Sequence, residues 1–550
     1  MPVQNSEIAN IFREIADLLE IEGANAFRVR AYRDAARTIE SYPRRLNQMV
    51  EADEDIDEIS GIGEDLAKKI EEIVDTGQLS FLESLREQIP RTLLDLLHIS
   101  GLGPKRVQQL YQDLDITNIE GLQSAMEVGQ VEELEGFGPK TVANIKRGIK
   151  AEALKEKRTR LDIAEQFIDP LVNYLKELDP VKQVIVAGSY RRRKPTVGDL
   201  DIIATSEAGE TISDAFVNYD SVAEILSQGV TKASIKLRSG LQVDLRVVPE
   251  ESFGAALLYF TGSKAHNIHL RHIAVDKGLK INEYGVFDGE NRVLGRTEEE
   301  IYDYFGMLFI QPELRKDTGE IEAALEDKLP NLVKLEDLRG DLQMHTDQSD
   351  GENTLAEMAE KADSLGYEYI AITDHTSYIG VTQGLDEEDV PEYVDRINKY
   401  NADHEGVYVL KGIEVDIHKD GSLDLPDESL AQMDIVLGSV HSHFDLSEQD
   451  QTERIIRAMD NPHFNILAHP TTRQIGSREP IKMDMEKIMK AALERGCYLE
   501  INASPERLDI WDQYIRLAKD LGLKLSIGTD AHRETSLPNI KYGIYQARRG

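Results

Sequence analysis

Apolar side chains at Ile8, Ile11, Phe12, Ile15, Leu18 and Leu19 recur at the spacing of one buried helix face. A second helix is predicted over 26–41, ending before Pro43. A unit then repeats three times: an apolar stretch, Gly-apolar-Gly, and a helix start. Gly61-Ile62-Gly63 precedes an amphipathic segment over 64–74, Gly101-Leu102-Gly103 precedes one over 104–110, and Gly136-Phe137-Gly138 precedes one over 139–149. Pro104 and Pro139 fall in the first helical turn, where no N–H is needed. From about residue 183 the pattern changes to strands, over 184–187, 200–203 and 241–248. The charged stretch 317–338, broken by Pro330, predicts an interdomain linker. After Gly340, short apolar strands over 369–372, 407–410, 435–437, 465–467, 498–501 and 524–527 alternate with helices. That alternation predicts a barrel-like α/β domain with its chemistry at the strand C-termini.

At 550 residues the chain exceeds a single core and calls for several domains. With 41% hydrophobic and 30% charged residues it has the composition of a soluble globular protein. Asp plus Glu is 101 and Lys plus Arg is 63, a formal charge of −38. That excludes a coat that wraps nucleic acid by charge alone, but not an enzyme whose cations are concentrated at a site. Cys497 is the sole cysteine, so an internal disulfide and a Cys-based zinc site are both ruled out, and a reducing, cytoplasmic setting is expected. No run approaches ~20 apolar residues, so no membrane span is expected. The N-terminal segment lacks the apolar run of a signal peptide.

The glycine repeats come first among the candidate chemistry. A helix start offers free N–H groups and a positive dipole end, and paired glycines let those amides approach a phosphate. One copy would read as a plain helix-turn-helix. Three copies, at Gly61 and Gly63, Gly101 and Gly103, and Gly136 and Gly138, favour a grip on a DNA backbone without reading sequence. They resemble helix-hairpin-helix motifs. The acidic run 51–58 reads as a solvated face.

Gly188-Ser189-Tyr190-Arg191-Arg192-Arg193 follows a predicted strand, with Asp199-Leu200-Asp201 a few residues on. Alternate strand residues share a face, so Asp199 and Asp201 project together, and Asp244 in a later strand can join them. Three converging carboxylates repel unless cations lie between them. Mg²⁺ or Mn²⁺ there would suit phosphoryl transfer from a nucleotide, with Ser189 and Arg192 at the β- and γ-phosphates. Gly-Ser, arginines and Asp-x-Asp together resemble the nucleotidyltransferase signature. Leu258-Tyr259-Phe260-Thr261-Gly262-Ser263, Asn267, Arg271, the segment 280–284, and the segments 300–304 and 311–315 narrow this further. Together they resemble the family X DNA polymerases of the polymerase beta type, over residues 1 to about 316. The resemblance implies that Gly188, Ser189, Arg192, Tyr259, Phe260, Gly262 and Asn267 bind the nucleotide. Tyr259 and Phe260 would exclude a ribose 2′-OH, and Arg271 would meet the template. It also places Lys69 at the Schiff-base lysine of a lyase domain, and Arg28 and Tyr32 at 5′-phosphate contacts. Asp57 and Asp65 depart from that pattern, standing where such enzymes carry lysines.

Nine of the thirteen histidines lie after residue 340. His345, His375, His441, His469 and His532 fall at predicted strand ends, joined by Asp350, Glu414 and Asp530. Such a set points to a site for two or three ions, Zn²⁺ or Mn²⁺, hydrolysing a phosphoester. His404, His418, His443 and His463 read as surface or supporting residues. The set resembles the PHP (polymerase and histidinol phosphatase) domain, which implies a distorted barrel and 3′-to-5′ exonuclease activity. AP-endonuclease or 3′-phosphatase activity accompanies it in some members. The resemblance adds Gln343 at the position of a metal-ligating histidine, a weaker neutral ligand.

The expected organisation is a lyase-like helical domain over 1–85, a helix-hairpin-helix subdomain over 86–150 and a nucleotidyltransferase palm over 151–250. A mobile nascent-base-pair subdomain over 251–316, the linker over 317–338 and a PHP phosphoesterase over 339–550 complete it. The expected function is gap filling on gapped or primer-template DNA with dNTPs, by a monomer that also trims 3′ ends. Template-independent nucleotidyl transfer, or a PHP half that acts as a structural module, are the rivals. The net charge predicts modest, steeply salt-dependent DNA affinity unless the protein is adapted to high salt.

Overall fold

The computed structural model describes the chain apart from residues 1, 2, 4, 43–45, 53, 60, 91, 98, 100, 155–157 and 378–383. Pro43 and part of the acidic run 51–58 therefore lie outside the described residues. The chain forms two compact units, Met1–Arg158 and Thr159–Gly550.

The first unit is helical. Helices span Asn5–Glu22, Ala26–Ser41, Glu64–Thr76, Ser80–Gln88, Pro104–Leu114 and Pro139–Leu154, with shorter ones between. The expected helical face is its core: Ile8, Phe12, Ile15, Leu18 and Leu19 are buried with Tyr32, Ala36 and Ile39 of the second helix. The Asn25 side chain caps that second helix by accepting from the N–H of Phe27. In each glycine repeat the middle residue anchors the turn, with Ile62, Leu102 and Phe137 all buried in this core. The last helix runs past the boundary expected at 150.

The second unit opens with a five-stranded sheet. Its spatial order is Gln183–Val186, Asp199–Thr205, Gln242–Val248, Lys232–Leu237 and Val222–Gln228. Asp199–Thr205 and Gln242–Val248 run parallel, and their register sets Asp201 directly beside Asp244. The other pairs in this sheet are antiparallel. Helix Leu161–Lys176 and Phe216 cover the sheet, as do Leu508 and Tyr542 from far along the chain. A small subdomain follows. Helices Phe253–Thr261, Lys264–Asp276 and Glu298–Tyr304 pack with a three-stranded antiparallel sheet around Leu258, Leu270, Ile301 and Tyr302.

The segment 317–338, expected as a linker, is in part built into this subdomain. It contains a helix, Glu320–Leu325, whose Ile321 and Ala324 complete the core of that subdomain. Glu320 accepts from the N–H groups of Lys316, Asp317 and Thr318, and His266 Nδ1 lies 2.8 Å from its Oε1. The helix is less than two turns long, too short for its apolar residues to stand out against the flanking charge.

The remainder is the expected barrel. Among the described residues, seven parallel strands lie in chain order, beginning at Gly340–Asp341 and ending at Leu525–Gly528. Edge meets edge through a parallel bridge between Met344 and Ala531, where the N–H of His345 donates to the carbonyl of Ala531 at 2.8 Å. Outer helices include Leu355–Ser364, Val390–Asp403, Met485–Arg495 and Ile540–Arg549.

One consequence concerns acid stability. Burial alone would raise the Glu320 pKa, but His266 and the backbone N–H groups outweigh it and hold it down at about 2. A carboxylate with a depressed folded pKa stabilises the fold above its unfolded pKa, and that contribution fades as pH falls toward the folded value. Glu320→Gln is therefore expected to lower the melting temperature by a constant amount from pH 8 to about 5, corresponding to at most about 3 kcal/mol. Below about pH 4.5 the gap to the parent chain should shrink. Calorimetry across that range checks the sign, and a gap that widens on acidification would contradict it.

Candidate functional site

The strand Gln183–Val186 runs into a turn whose first residue is Gly188. Its φ is +62°, and a Cβ there would fall 2.6 Å from Asp201 Oδ2. Glycine is therefore required by how closely the turn approaches Asp201. The N–H of Ala187 donates to the Asp201 carbonyl at 2.7 Å and locks this approach. Asp199 is exposed and Asp201 half-buried on the same strand. Asp244 accepts from Ser234 Oγ and, at 3.1 Å, from Gln242 Nε2. Burial, then the Asp199 and Asp244 charges, push the Asp201 pKa up to about 7. Asp199 and Asp244 thus act on Asp201 as neighbouring anions, and hard oxygen donors of this kind suit a divalent cation.

Around this cluster the expected nucleotide residues form one connected group. Ser189 lies in the first turn after Gly188, and the Arg192 guanidinium donates to the carbonyl of Thr261, beside Gly262. Arg191 is held bidentately by the buried Glu298, at 2.9 and 2.6 Å. Glu298 also meets the fully buried Arg315 at 2.5 Å. Tyr259 and Phe260 pack edge to face at 5.0 Å. The Arg271 guanidinium lies over Tyr259 at 5.2 Å and that of Arg246 over Phe260 at 5.0 Å. Asn267 Nδ2 donates to the Tyr259 carbonyl at 2.7 Å.

In the first unit, Gly61, Gly101 and Gly136 have φ between +83° and +96°, where a side chain would be strained. Gly63 and Gly103 have ordinary extended backbone, and a Cβ at Gly63, Gly103 or Gly138 would meet nothing within 4 Å. Packing does not require these second glycines, whereas a close external ligand would. Arg28, Tyr32 and Lys69 gather around Phe81, a residue that sequence reasoning had not singled out. Arg28 lies 4.9 Å and Lys69 6.0 Å from the ring, and Tyr32 stacks at 6.2 Å. Lys69 Nζ is 2.5 Å from the Asp65 carboxylate and 3.2 Å from its carbonyl. Asp57 is exposed.

The barrel gathers the expected ligands around the buried Glu414. His345 Nε2 is 3.3 Å from Glu414 and 3.2 Å from Asp530. His469 Nε2, His441 Nε2 and His375 Nδ1 lie 3.0, 3.4 and 3.6 Å from Glu414. Asp350 faces His375 at 3.7 Å and His532 at 3.3 Å. The His345 ring stacks between His375 at 4.4 Å and His532 at 4.3 Å. Gln343 enters the same cluster, its Nε2 donating to Glu414 Oε2 at 3.0 Å.

These donors overlap into groups able to share ions: His345, Asp350, His375 and His532; His375, Glu414 and His441; and His345, Glu414 and Asp530. Among the described residues, His345 Nδ1 and His469 Nδ1 are buried without a hydrogen-bond partner. Imidazole Nε2 atoms set against the Glu414 and Asp530 carboxylates fit divalent ions. Burial favours a neutral His345, but Asp530 and Glu414 hold its pKa well above the usual histidine range. Burial pushes His375 down to about 3.

Sequence reasoning missed the groups that hold this set. Asp374 accepts from the N–H and hydroxyl of Thr346 and the hydroxyl of Ser349, each at 2.7 Å, and so fixes the loop leading to Asp350. Asp341 accepts from the hydroxyl of Thr529 at 2.5 Å and its N–H at 3.0 Å, tying the first strand to the last beside Asp530. Asp416 faces His441 Nδ1 at 3.2 Å, and Asn502 Nδ2 donates to Asp530 at 3.1 Å. The available signal was position alone, with Asp374 preceding His375 and Asp341 opening the first strand. His404 stacks on Tyr400 at 4.2 Å, away from these groups. Among the described residues, no helix is long and apolar enough to cross a membrane.

Residues 3–79 match a helix-hairpin-helix domain, and 93–166 a SAM-like helix-hairpin-helix tandem. Residues 160–261 match the DNA polymerase beta palm, 256–316 the DNA polymerase beta thumb, and 341–504 the PHP domain. DNA polymerase/3′-5′ exonuclease PolX of Bacillus subtilis is 36% identical over 552 residues, covering 100% of this chain and 96% of that protein. DNA polymerase lambda of Arabidopsis thaliana is 26% identical over 57% of this chain and 62% of its own length. A probable phosphatase of Thermoanaerobacter is 34% identical over 33% of this chain and 73% of its own length. From palm, thumb, hairpins and barrel together, the chain belongs to the PolX family, the family X DNA polymerases that carry a PHP exonuclease domain.

Proposed function

We propose that this protein fills short gaps in damaged DNA and trims 3′ ends, using Asp199, Asp201 and Asp244 for synthesis and the Glu414 cluster for hydrolysis. The observation that carries the first half is the register of Asp201 beside Asp244, with Asp199 on the same strand. Gly188, Ser189 and Arg192 would line the triphosphate, and Tyr259 and Phe260 the sugar. Asn267 fixes the backbone of Tyr259, and Arg271 on the Tyr259 ring would face the template. The second glycine of each hairpin leaves room for the DNA backbone against helix amides.

We assign Mg²⁺ or Mn²⁺ to the carboxylate triad and Zn²⁺ or Mn²⁺ to the barrel, where Gln343, His345, Asp350, His375, Glu414, His441, His469, Asp530 and His532 would hold two or three ions. Divalent cations, when bound, supply charge neutralisation and Lewis acidity at both centres. The protein's own contribution is orientation: Ala187 pins Asp201, Ser234 and Gln242 pin Asp244, and Asp374 and Asp341 pin the barrel loops. We further assign it to the cytoplasm as a monomer acting on gapped or primer-template DNA with dNTPs. The single thiol of Cys497, buried in the barrel, is in keeping with that compartment.

Asp244→Ala is expected to abolish dNTP incorporation on a gapped duplex while DNA binding in a gel-shift assay persists. Incorporation by that variant would refute the triad. His345→Ala is expected to stop mononucleotide release from a 3′-recessed primer with Mn²⁺ and to leave incorporation intact. Equal release by variant and parent would remove the barrel from the exonuclease. The Asp65 carboxylate, 2.5 Å from Lys69 Nζ, competes with an incoming sugar aldehyde for the amine. Borohydride trapping on an abasic duplex should therefore be weak and should rise with Asp65→Asn. Trapping that is already strong in the parent and unchanged in the variant would contradict this.

A further inference from the structure

The turn that follows Gly188 is built from a run of four cations, Arg191-Arg192-Arg193-Lys194, which repel one another. Something must hold each in place. Arg191 is held by Glu298 of the thumb. Arg193 has a φ of +53°, a strained conformation for a side chain this large, so its surroundings must impose it. Besides the bond of Arg192 to the Thr261 carbonyl and the Glu165 carboxylate 3.8 Å from Arg193, further supports for both come from the far end of the chain.

Helix Ile540–Arg549 belongs to the barrel by sequence, yet one face of it lies on the palm. Tyr542 is buried in the palm core, and its hydroxyl donates to Glu165 at 2.7 Å. Lys541 meets the same carboxylate at 2.8 Å. The Tyr545 ring lies 4.4 Å from the Arg193 guanidinium. Arg549, with its side chain 5% exposed, donates from Nη1 to the Arg192 carbonyl at 2.7 Å and pairs through Nη2 with Asp512 at 2.6 Å. A buried guanidinium is tolerated only when paired and hydrogen-bonded. Asp512, which also meets Lys316 at 2.8 Å, anchors the guanidinium, and the Nη1 contact fixes a peptide group of the turn.

We propose that Arg549 and Tyr545 are positioning residues for nucleotide incorporation, holding the phosphate-binding turn from behind, so that dNTP affinity depends on the last helix of the barrel half. The proposal rests on the reading that this turn holds the triphosphate. Arg549 fixes the peptide of Arg192, and Tyr545 fixes the side chain of Arg193. Losing either loosens the turn without removing any group that touches the nucleotide.

The test is steady-state incorporation on a gapped duplex by the full chain, alongside release of mononucleotides from a 3′-recessed primer. Arg549→Ala is expected to raise the KM for dNTP about ten-fold, with kcat changed less than about three-fold and the exonuclease less than about two-fold. Arg549→Lys, which keeps a donor near Arg192, should recover most of the loss. Tyr545→Leu should raise KM about three-fold, and it also serves if Arg549→Ala does not fold. Arg548→Ala removes a 2.7 Å contact of the same helix with Glu313 but touches no part of the turn, and should leave KM unchanged. An unchanged KM in Arg549→Ala, or an equal rise in Arg548→Ala, overturns the proposal. A parent chain that incorporates nothing overturns the polymerase reading itself, and a working parent with an indifferent Arg549→Ala overturns only this inference.

Discussion

In both halves of the second unit, parallel strands bring like ends together, and acidic side chains at those ends are forced into one small volume. In the palm sheet the strands bearing Asp201 and Asp244 run parallel and in register. Side chains at paired positions then stand on the same face, so the two carboxylates must meet. The energetic consequence is the Asp201 pKa of about 7, where burial and two neighbouring charges oppose ionisation. The surroundings resist relaxation of this strain. Gly188 crowds Asp201, Ala187 bonds its carbonyl, and Ser234 and Gln242 hold Asp244. The barrel applies the same constraint around a ring of strands, and its cluster is richer because every strand can contribute at the same end. Histidines relieve part of the repulsion, holding the Glu414 pKa well below its usual value despite burial.

Gln343 shows how far such a cluster tolerates a substitution. An imidazole at that position would offer a ring nitrogen to a cation. The amide instead donates to Glu414 and lies 3.4 Å from Asn502 Nδ2, which also meets Glu500 and Asp530. The amide nitrogen thus braces Glu414, while the amide oxygen keeps lone pairs for a cation, as a weaker ligand than an imidazole. The neighbours His345, Glu414 and Asp530 still form a group able to share an ion. The brace keeps Glu414 oriented, so the groups formed by His375 and His441 with Glu414, and by Asp350 with His532, do not depend on the missing ring.

Short-range pattern explains what was legible in the sequence. The helix over 26–41 and the strand over 369–372 match their predicted limits, because periodicity and a cap decide them locally. The site residues were legible where chemistry concentrates in a few neighbouring positions, as in Asp199-Leu200-Asp201 and in histidines at strand ends. Phe81, Asp341, Asp374 and Arg549 were not. Each acts through a partner distant in sequence, up to 357 residues away for Arg549 and Arg192. No local pattern marks a buried aspartate as a loop tie or a helix arginine as a turn support. Helix Glu320–Leu325 was hidden for a related reason, since its stability comes from His266 and the subdomain core rather than from its own composition.

The same distinction bears on how a chain of charge −38 holds DNA. Cations at the first hairpin are committed to neighbouring carboxylates, Lys68 to Glu64 and Lys69 to Asp65. A phosphate that captures such a cation displaces a carboxylate as well as releasing counterions, so the net gain per contact is reduced. Amides at the helix starts carry no net charge and have no carboxylate to shed. A grip built mainly on them depends less on salt than one built on lysines and arginines. Affinity then rests on how closely the backbone fits against Gly63, Gly103 and Gly138, where the fold leaves open space.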